Sequence, residues 1–303
     1  MRRAYTAGHF QLEIDGQCST AYIKSVDGGY ARTQLVDEPI GNNGIRIKHA
    51  ATVDVDALSL ELGLSGAGDV LSWIQDSWEQ KFSRCNGQIT HANFDCVRTF
   101  EHEFKEALIT ETTFPTLDGA SKEAAYIKIK LQPETSKARK VHGNSKITPL
   151  GGIHQKMWLA SSFRFTIDGL NSMQYVNKIE SFTIKQGIKK HHAGETRFAQ
   201  IEPTKIEFPN LVCTISLERA DEILKWYNDY IVNGEDDPDA QRTGCIEFLS
   251  PDRKKTLFAI DLYEMSLVHA EVMQSTANSD QIKRVKFELF VGRMELDPGD
   301  GLG

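Results

Sequence analysis

No stretch of the sequence approaches the roughly 20 consecutive apolar residues that a membrane-spanning helix needs, and no apolar segment follows Met1-Arg2-Arg3. The chain is therefore expected to be made and kept in the cytosol, with no membrane insertion. Cysteine is sparse: Cys18, Cys85, Cys96, Cys213 and Cys245 include no Cys-x-x-Cys pair and no zinc-like spacing with histidine. A disulfide framework is excluded, and the five are expected as reduced thiols. They read as small hydrophobes on strands, with Cys96 and Cys213 at alternating positions of apolar runs. With only 9 prolines, 40% hydrophobic and 25% charged residues, the 303-residue chain is neither disordered nor collagen-like. Positive charge is not in excess either, since 35 Lys and Arg stand against 42 Asp and Glu, a net charge of -7. A field of that sign gives no reason for sequence-independent nucleic-acid binding or for attraction to anionic membranes.

Reactive motifs are lacking as well. Ser65-Gly66-Ala67-Gly68-Asp69 stands at a predicted helix start, but it matches neither dinucleotide nor P-loop spacing and Asp69 would repel a phosphate. It reads as an N-cap by Ser65 with an acid in the first turn. His102-Glu103 has no second histidine at metalloprotease spacing and lies in an extended segment. His191-His192 has no third ligand nearby, and no Gly-x-Ser-x-Gly elbow or base-activated cysteine occurs. No catalytic residue, cofactor or metal is expected, and the chain reads as non-enzymatic.

What the sequence does contain is a repeat. Phe10-Gln11-Leu12-Glu13-Ile14-Asp15-Gly16 returns as Phe163-Arg164-Phe165-Thr166-Ile167-Asp168-Gly169, an offset of 153. The offset persists without a gap through Leu58, Leu60 and Leu62 over Leu211, Cys213 and Ile215, and through Leu71-Ser72-Trp73-Ile74 over Leu224-Lys225-Trp226-Tyr227. Beyond that, Asn93 to Cys96 reads as the equivalent of Cys245 to Phe248 at 152. An inserted turn at Ser250 to Lys255 then moves Leu108-Ile109 onto Leu267-Val268 at 159. Two domains follow, residues 1–134 and 158–303. Between them the basic, acid-poor stretch 135–157, with Lys137, Arg139, Lys140, Lys146 and Lys156, is expected as a solvated linker.

Within each copy, period-two alternation predicts a mainly β (α+β) fold. An opening hairpin turns at Asp15-Gly16, strands continue over Tyr22 to Val26 and Gln174 to Ile184, and others run over Val53 to Leu62 and Lys205 to Leu217. One helix per domain is predicted, over Ser65 to Phe82 and Glu218 to Val232, with Trp73 and Trp226 as equivalent core anchors. Two polar segments, 36–50 and 189–203, read as long loops suited to partner contact.

The Phe-x-Leu-x-Ile-Asp-Gly pattern, the strand end at Ser25-Val26-Asp27-Gly28-Gly29, the long polar loop, Leu58-x-Leu60-x-Leu62 and a helix with Leu71 and Trp73 resemble the inner tube proteins of contractile phage tails. The haemolysin-coregulated tubes of type VI secretion are similar, and the resemblance covers both copies, about residues 8–134 and 160–296. It implies tandem split β-barrels, each with a flanking helix, closing into a ring through intersubunit sheets. Such rings stack into a tube that associates with sheath and baseplate proteins and passes DNA or protein cargo, inside a virion or injection particle assembled in the bacterial cytoplasm. It also implies that the long loops reach the adjacent ring, through Asp37, Glu38, Asn42, Asn43 and Arg46 in the first domain. In the second, Lys189, Lys190, His191, His192, Glu195 and Arg197 take that part. Because such subunits usually carry one domain, two domains imply a trimer with pseudo-sixfold symmetry. A baseplate hub or tube initiator is the alternative within the same machinery, and a two-domain small-molecule-binding protein or hydrolase is the alternative outside it.

Overall fold

Leu58, Leu60 and Leu62 alternate with Ser59 and Glu61, so a strand here buries three leucines on one face and leaves the other face polar. That pattern builds most of the chain. A computed structural model describes residues 8–40, 44–63, 66–148, 158–237, 240–274 and 282–299. The first domain runs β1 (His9–Ile14), β2 (Gln17–Cys18), β3 (Ile23–Gly28), β4 (Ala31–Ile40), β5 (Ile45–Val55), β6 (Leu58–Leu62), α1 (Gly68–Trp78), β7 (Cys85–Ala92), β8 (Arg98–Phe114), β9 (Leu117–Asp118), β10 (Ile127–Gln132) and β11 (Thr135–Lys140). The second runs β12 (Phe163–Ile167), β13 (Lys178–Ile179), β14 (Phe182–His191), β15 (Gln200–Glu207), β16 (Leu211–Ser216), α2 (Asp221–Trp226), β17 (Arg242–Leu249), β18 (Thr256–Val272) and β19 (Arg284–Asp297).

The fold is mainly β, and the two halves share a strand order. The first sheet runs β1-β7-β8-β10-β6-β3 and the second runs β12-β17-β18-β19-β16-β13. β1 and β3, at opposite ends of their order, also touch, so the first sheet curls into a split barrel. The single strand β19 corresponds to β10 and β11, which are separated by Pro133 and Glu134; proline donates nothing to a ladder and marks the break. One core runs through both halves, centred on Phe114, Trp158, Phe248 and Phe258, and the rings of Phe248 and Phe258 stack at 4.0 Å. Among the described residues no helix is long and apolar enough to cross a membrane.

Several expectations are corrected. The segments 36–50 and 189–203 are not loops around strands but belong to two long hairpins. β4 pairs with β5 from Ala31–Val55 out to Ile40–Ile45, and β14 pairs with β15 from Lys185–Glu207 out to His191–Gln200. Their polar composition hides the strands, since both faces of β4 are exposed and no alternation is needed. The stretch 135–157 begins as sheet and not as tether: Thr135–Lys140 lies antiparallel on β8, and Arg139 meets Glu101 at 2.6 Å. Residues 149–157 lie outside the described residues. In the second domain, 3-10 turns at Asn171–Tyr175 interrupt the strand expected from Gln174.

The helices are shorter than their apolar stripes. α1 starts at Gly68 with Ala67 at the cap, while Ser65 lies outside the described residues. α2 ends at Trp226 and widens into a π-helical turn over Tyr227–Val232. Asn228 explains the change, because its side-chain amide donates to the Leu224 carbonyl at 2.9 Å, the acceptor its own backbone N–H would use in an α-helix.

The repeat register after the helix is also different. Leu12 faces Ile89, and its equivalent Phe165 faces Ile246, so the strands there stand 157 apart, the difference between 246 and 89. Ile109 faces Leu131 and Leu267 faces Leu289, a separation of 158. The extra residues therefore enter mainly between helix and strand, with one more at the 250–255 turn. Alternating strands look alike when slid along each other, which is why the sequence misplaces the insertion.

Candidate assembly surfaces

The two domains meet through a joint of backbone pairing. β8 is long enough that its last residues pass beyond β7 and offer a free border. Phe182–Lys185 of β14 take it, in the register Phe182–Phe114, Thr183–Thr113, Ile184–Thr112 and Lys185–Glu111. β9 pairs with β13 in the same sense. The hydroxyls of Thr113 and Thr183 lie 2.9 Å apart, and the Phe114 and Phe182 rings stack at 5.1 Å. Trp78, at the end of α1, sets its edge against Phe208 at 6.4 Å, and α1 itself spans β8 and the second domain's β19. Arg84 ties the joint from the side: it meets Glu134 at 2.6 Å and the Ile201 carbonyl at 2.5 Å, while the Ile201 N–H donates to Glu134 at 2.9 Å. A continuous sheet with an apolar layer beneath it thus connects two like modules.

The hairpins lie side by side. The Val53 N–H donates to the Arg197 carbonyl at 3.2 Å, and Lys190 meets Asp54 at 3.4 Å. Asp37 on β4 faces Arg46 at 3.7 Å and Lys48 at 3.9 Å on β5, and Glu38 faces His49 at 3.5 Å. Lys189, Lys190 and His191 close β14, and His192, Glu195 and Arg197 are exposed in the connection that follows. Asn42 and Asn43 lie outside the described residues. Exposed pairs of this kind add little stability. Leu35, Val36, Ile40, Ile45 and Ile47 are exposed on the first hairpin among them.

Trp73 is buried and donates its indole N–H to the Ser83 carbonyl at 2.9 Å. Trp226 is buried beneath the Arg242 guanidinium, 5.1 Å from its ring. Cys18 is exposed, Cys85 and Cys213 are buried, and Cys96 sits at positive φ in the β7–β8 turn, not on the strand expected of it. Burial pushes the Cys85 and Cys245 thiols up to about 12 and raises that of Cys213 as well, so their thiolates are suppressed at neutral pH. No group of His, Cys, Asp or Glu among the described residues is placed to hold a metal ion.

Sequence reasoning missed the residues of the joint. Phe114 and Phe182 fall outside the matched repeat positions, and their signal was only that β8's apolar residues run on past its alternating part. It also missed His102, which is buried between Gly29 and Ser136, with Nε2 at 2.9 Å from the Gly29 carbonyl and 2.7 Å from Ser136 Oγ, under the stacked ring of Tyr30.

Comparison with known proteins gives the following. Residues 6–137 match the family described as T4-like virus tail tube protein gp19. No curated protein sequence matches. Among solved structures, the tube complex of the extracellular contractile injection system PVC in its extended state is 17% identical, with TM-score 0.41, over 46% of this chain and 95% of that one. The anti-feeding prophage tube terminating cap is 14% identical, with TM-score 0.40, over 46% and 94%. Hcp1 from Flavobacterium johnsoniae is 13% identical, with TM-score 0.28, over 45% and 95%. Through residues 6–137, then, the chain is similar to the T4-like virus tail tube protein family.

Proposed function

We infer that the chain is a non-enzymatic structural subunit of the inner tube of a contractile tail or injection machine. Its two tube-type domains, the first running through β11 (Thr135–Lys140) and the second from residue 158, alternate around a ring. The observation that carries this reading is the joint between β8 and β14, where one module already completes the border of its copy. A border left open elsewhere calls for the same solution between chains. If a ring takes six such domains, three chains supply them, giving a trimer with pseudo-sixfold character.

The paired hairpins reach the adjacent ring. Asp37, Glu38 and Arg46 on one, and Lys189, Lys190, His191, His192, Glu195 and Arg197 on the other, form the inter-ring contact. Rings stacked this way enclose a channel for DNA or effector proteins, with sheath outside and baseplate below, in a particle assembled in the cytoplasm. A net charge of -7 suits a wall along which anionic cargo slides without sticking.

The test is the mass of the smallest closed assembly, read by native mass spectrometry with electron micrographs of the same sample. Three chains of 34.0 kDa in an annular particle are expected. A monomer at every concentration, or closed rings of six chains, defeats the alternating-domain reading.

A further inference from the structure

The joint inside the chain has a counterpart that is unfilled among the described residues. Positions of the first domain map onto the second by 158 in β8, and positions of the second map onto the first by 153 in β14. Phe114–Phe182, Thr113–Thr183, Thr112–Ile184 and Glu111–Lys185 then become Val272–Gly29, Glu271–Tyr30, Ala270–Ala31 and His269–Arg32.

Among the described residues His269–Val272 and Ala31–Arg32 each have a strand on one side alone, while Gly29 already gives its N–H to the Ala57 carbonyl at 3.1 Å and its carbonyl meets His102 Nε2 at 2.9 Å. His269–Val272 ends β18 and pairs with β19 on one side, while β17 on the other side reaches only Met265. Among the described residues β4 pairs with β5 alone. Among the described residues, the two borders do not pair with each other.

Burial makes the same point. Phe114 is 0% exposed, and its counterpart Val272 is 51% exposed. Trp78 is 5% exposed beneath the second domain, and its counterpart Ile231, in the π-helical turn, is 38% exposed. Val268 and Met273 are exposed beside Val272. Isolated apolar residues on a surface need no explanation, but these stand where the equivalent residues are covered. Charge differs between the two: the inner joint sets Lys185 against Glu111, whereas the outer register sets Arg32, which meets Asp56 at 3.0 Å, against His269.

We propose that a second copy of this chain covers the border, so that β18 of one copy pairs antiparallel with the segment entering β4 of the next, in the register Val272–Gly29, Glu271–Tyr30, Ala270–Ala31 and His269–Arg32. The same contact brings Ile231 under the neighbour's first domain, as Trp78 lies under the second. This register rests on the ring reading above, and it adds which strands meet and residue by residue how.

Cysteine pairs test it in a Cys18→Ser background, on protein first shown by mass to assemble. Tyr30→Cys with Glu271→Cys should, on oxidation, link chains into covalent multimers. Thr113→Cys with Thr183→Cys should link within one chain. Tyr30→Cys with Ala270→Cys should stay unlinked, because adjacent strand residues face opposite sides. Assemblies in which the 30–271 pair fails to link, or links no better than the 30–270 pair, overturn the register while leaving ring formation standing; protein that never assembles overturns both. As a second variant, Val272→Asp places an unpaired charge in the joint and should abolish the assembled species while the monomer's melting temperature holds. Assembly at the wild-type level would overturn the proposal.

Discussion

The carbonyl of Gly29 is held at 2.9 Å by Nε2 of His102, a residue 73 positions away, and the approach leaves no room between them. A Cβ added at Gly29 would stand 2.7 Å from the histidine Cε1, and the backbone there has φ of +79°. Glycine is required on both counts.

Gly29→Ala is therefore expected to lose about 1–3 kcal/mol of stability from backbone strain alone, with the ring contact adding to it. Urea denaturation measures the loss. A variant as stable as the parent would show that the loop relaxes without disturbing His102.

Acid should weaken the fold through the same ring. Burial pushes both His102 and His91 below the ordinary value of 6.5, and for His91 the neighbouring His102 adds to the effect. Below 6.5 the unfolded chain binds protons that the folded histidines refuse, so unfolding free energy falls as pH drops from there and these two groups contribute no slope above it. Denaturation midpoints taken between about pH 8 and pH 5 should show that break, and His102→Gln should make it shallower. A profile unchanged by the substitution would assign the slope to other groups.

At the joint, Phe114→Ala should cost about 3–5 kcal/mol, since it empties a site enclosed by Trp78, Phe182, Phe248 and Phe258. The counterpart Val272→Ala should change the isolated chain by no more than about 0.5 kcal/mol. Thermal melts of both variants under monomeric conditions give the comparison; equal losses would contradict the difference in burial.

Reversing charge on the first hairpin, with Asp37→Lys and Glu38→Lys, should leave rings intact and shorten the stacks they form. Both side chains point away from the core, on a strand exposed along its whole length. Stack lengths in electron micrographs provide the readout, and unchanged stacks would remove this hairpin from the inter-ring contact.

Much of this was legible in the chain, and what was hidden follows from how β structure writes itself. Leu58-Ser59-Leu60-Glu61-Leu62 buries one face and so displays its period. Ala31–Ile40 is exposed on both faces and therefore displays none. The helix stripe around Trp226 was plain, yet the switch at Tyr227 depends on one amide of Asn228 competing for a carbonyl, a local contest that periodicity cannot register. The repeat was readable where its spacing is constant, and it slipped after the helix because a sheet pattern slid by a few residues still alternates. The joint was least visible. Thr113 with Thr183 and Phe114 with Phe182 are contacts across 70 and 68 residues, and nothing in either segment alone calls for the other.

Carrying both modules on one polypeptide has a kinetic consequence for any closed assembly. Alternate contacts around the circle form as a folding event, at the high effective concentration of tethered partners, and only the remaining ones depend on how much protein is present. Dilution can then empty half of the contacts and no more, so the smallest species released on disassembly is a preformed pair of modules whose own junction never opens.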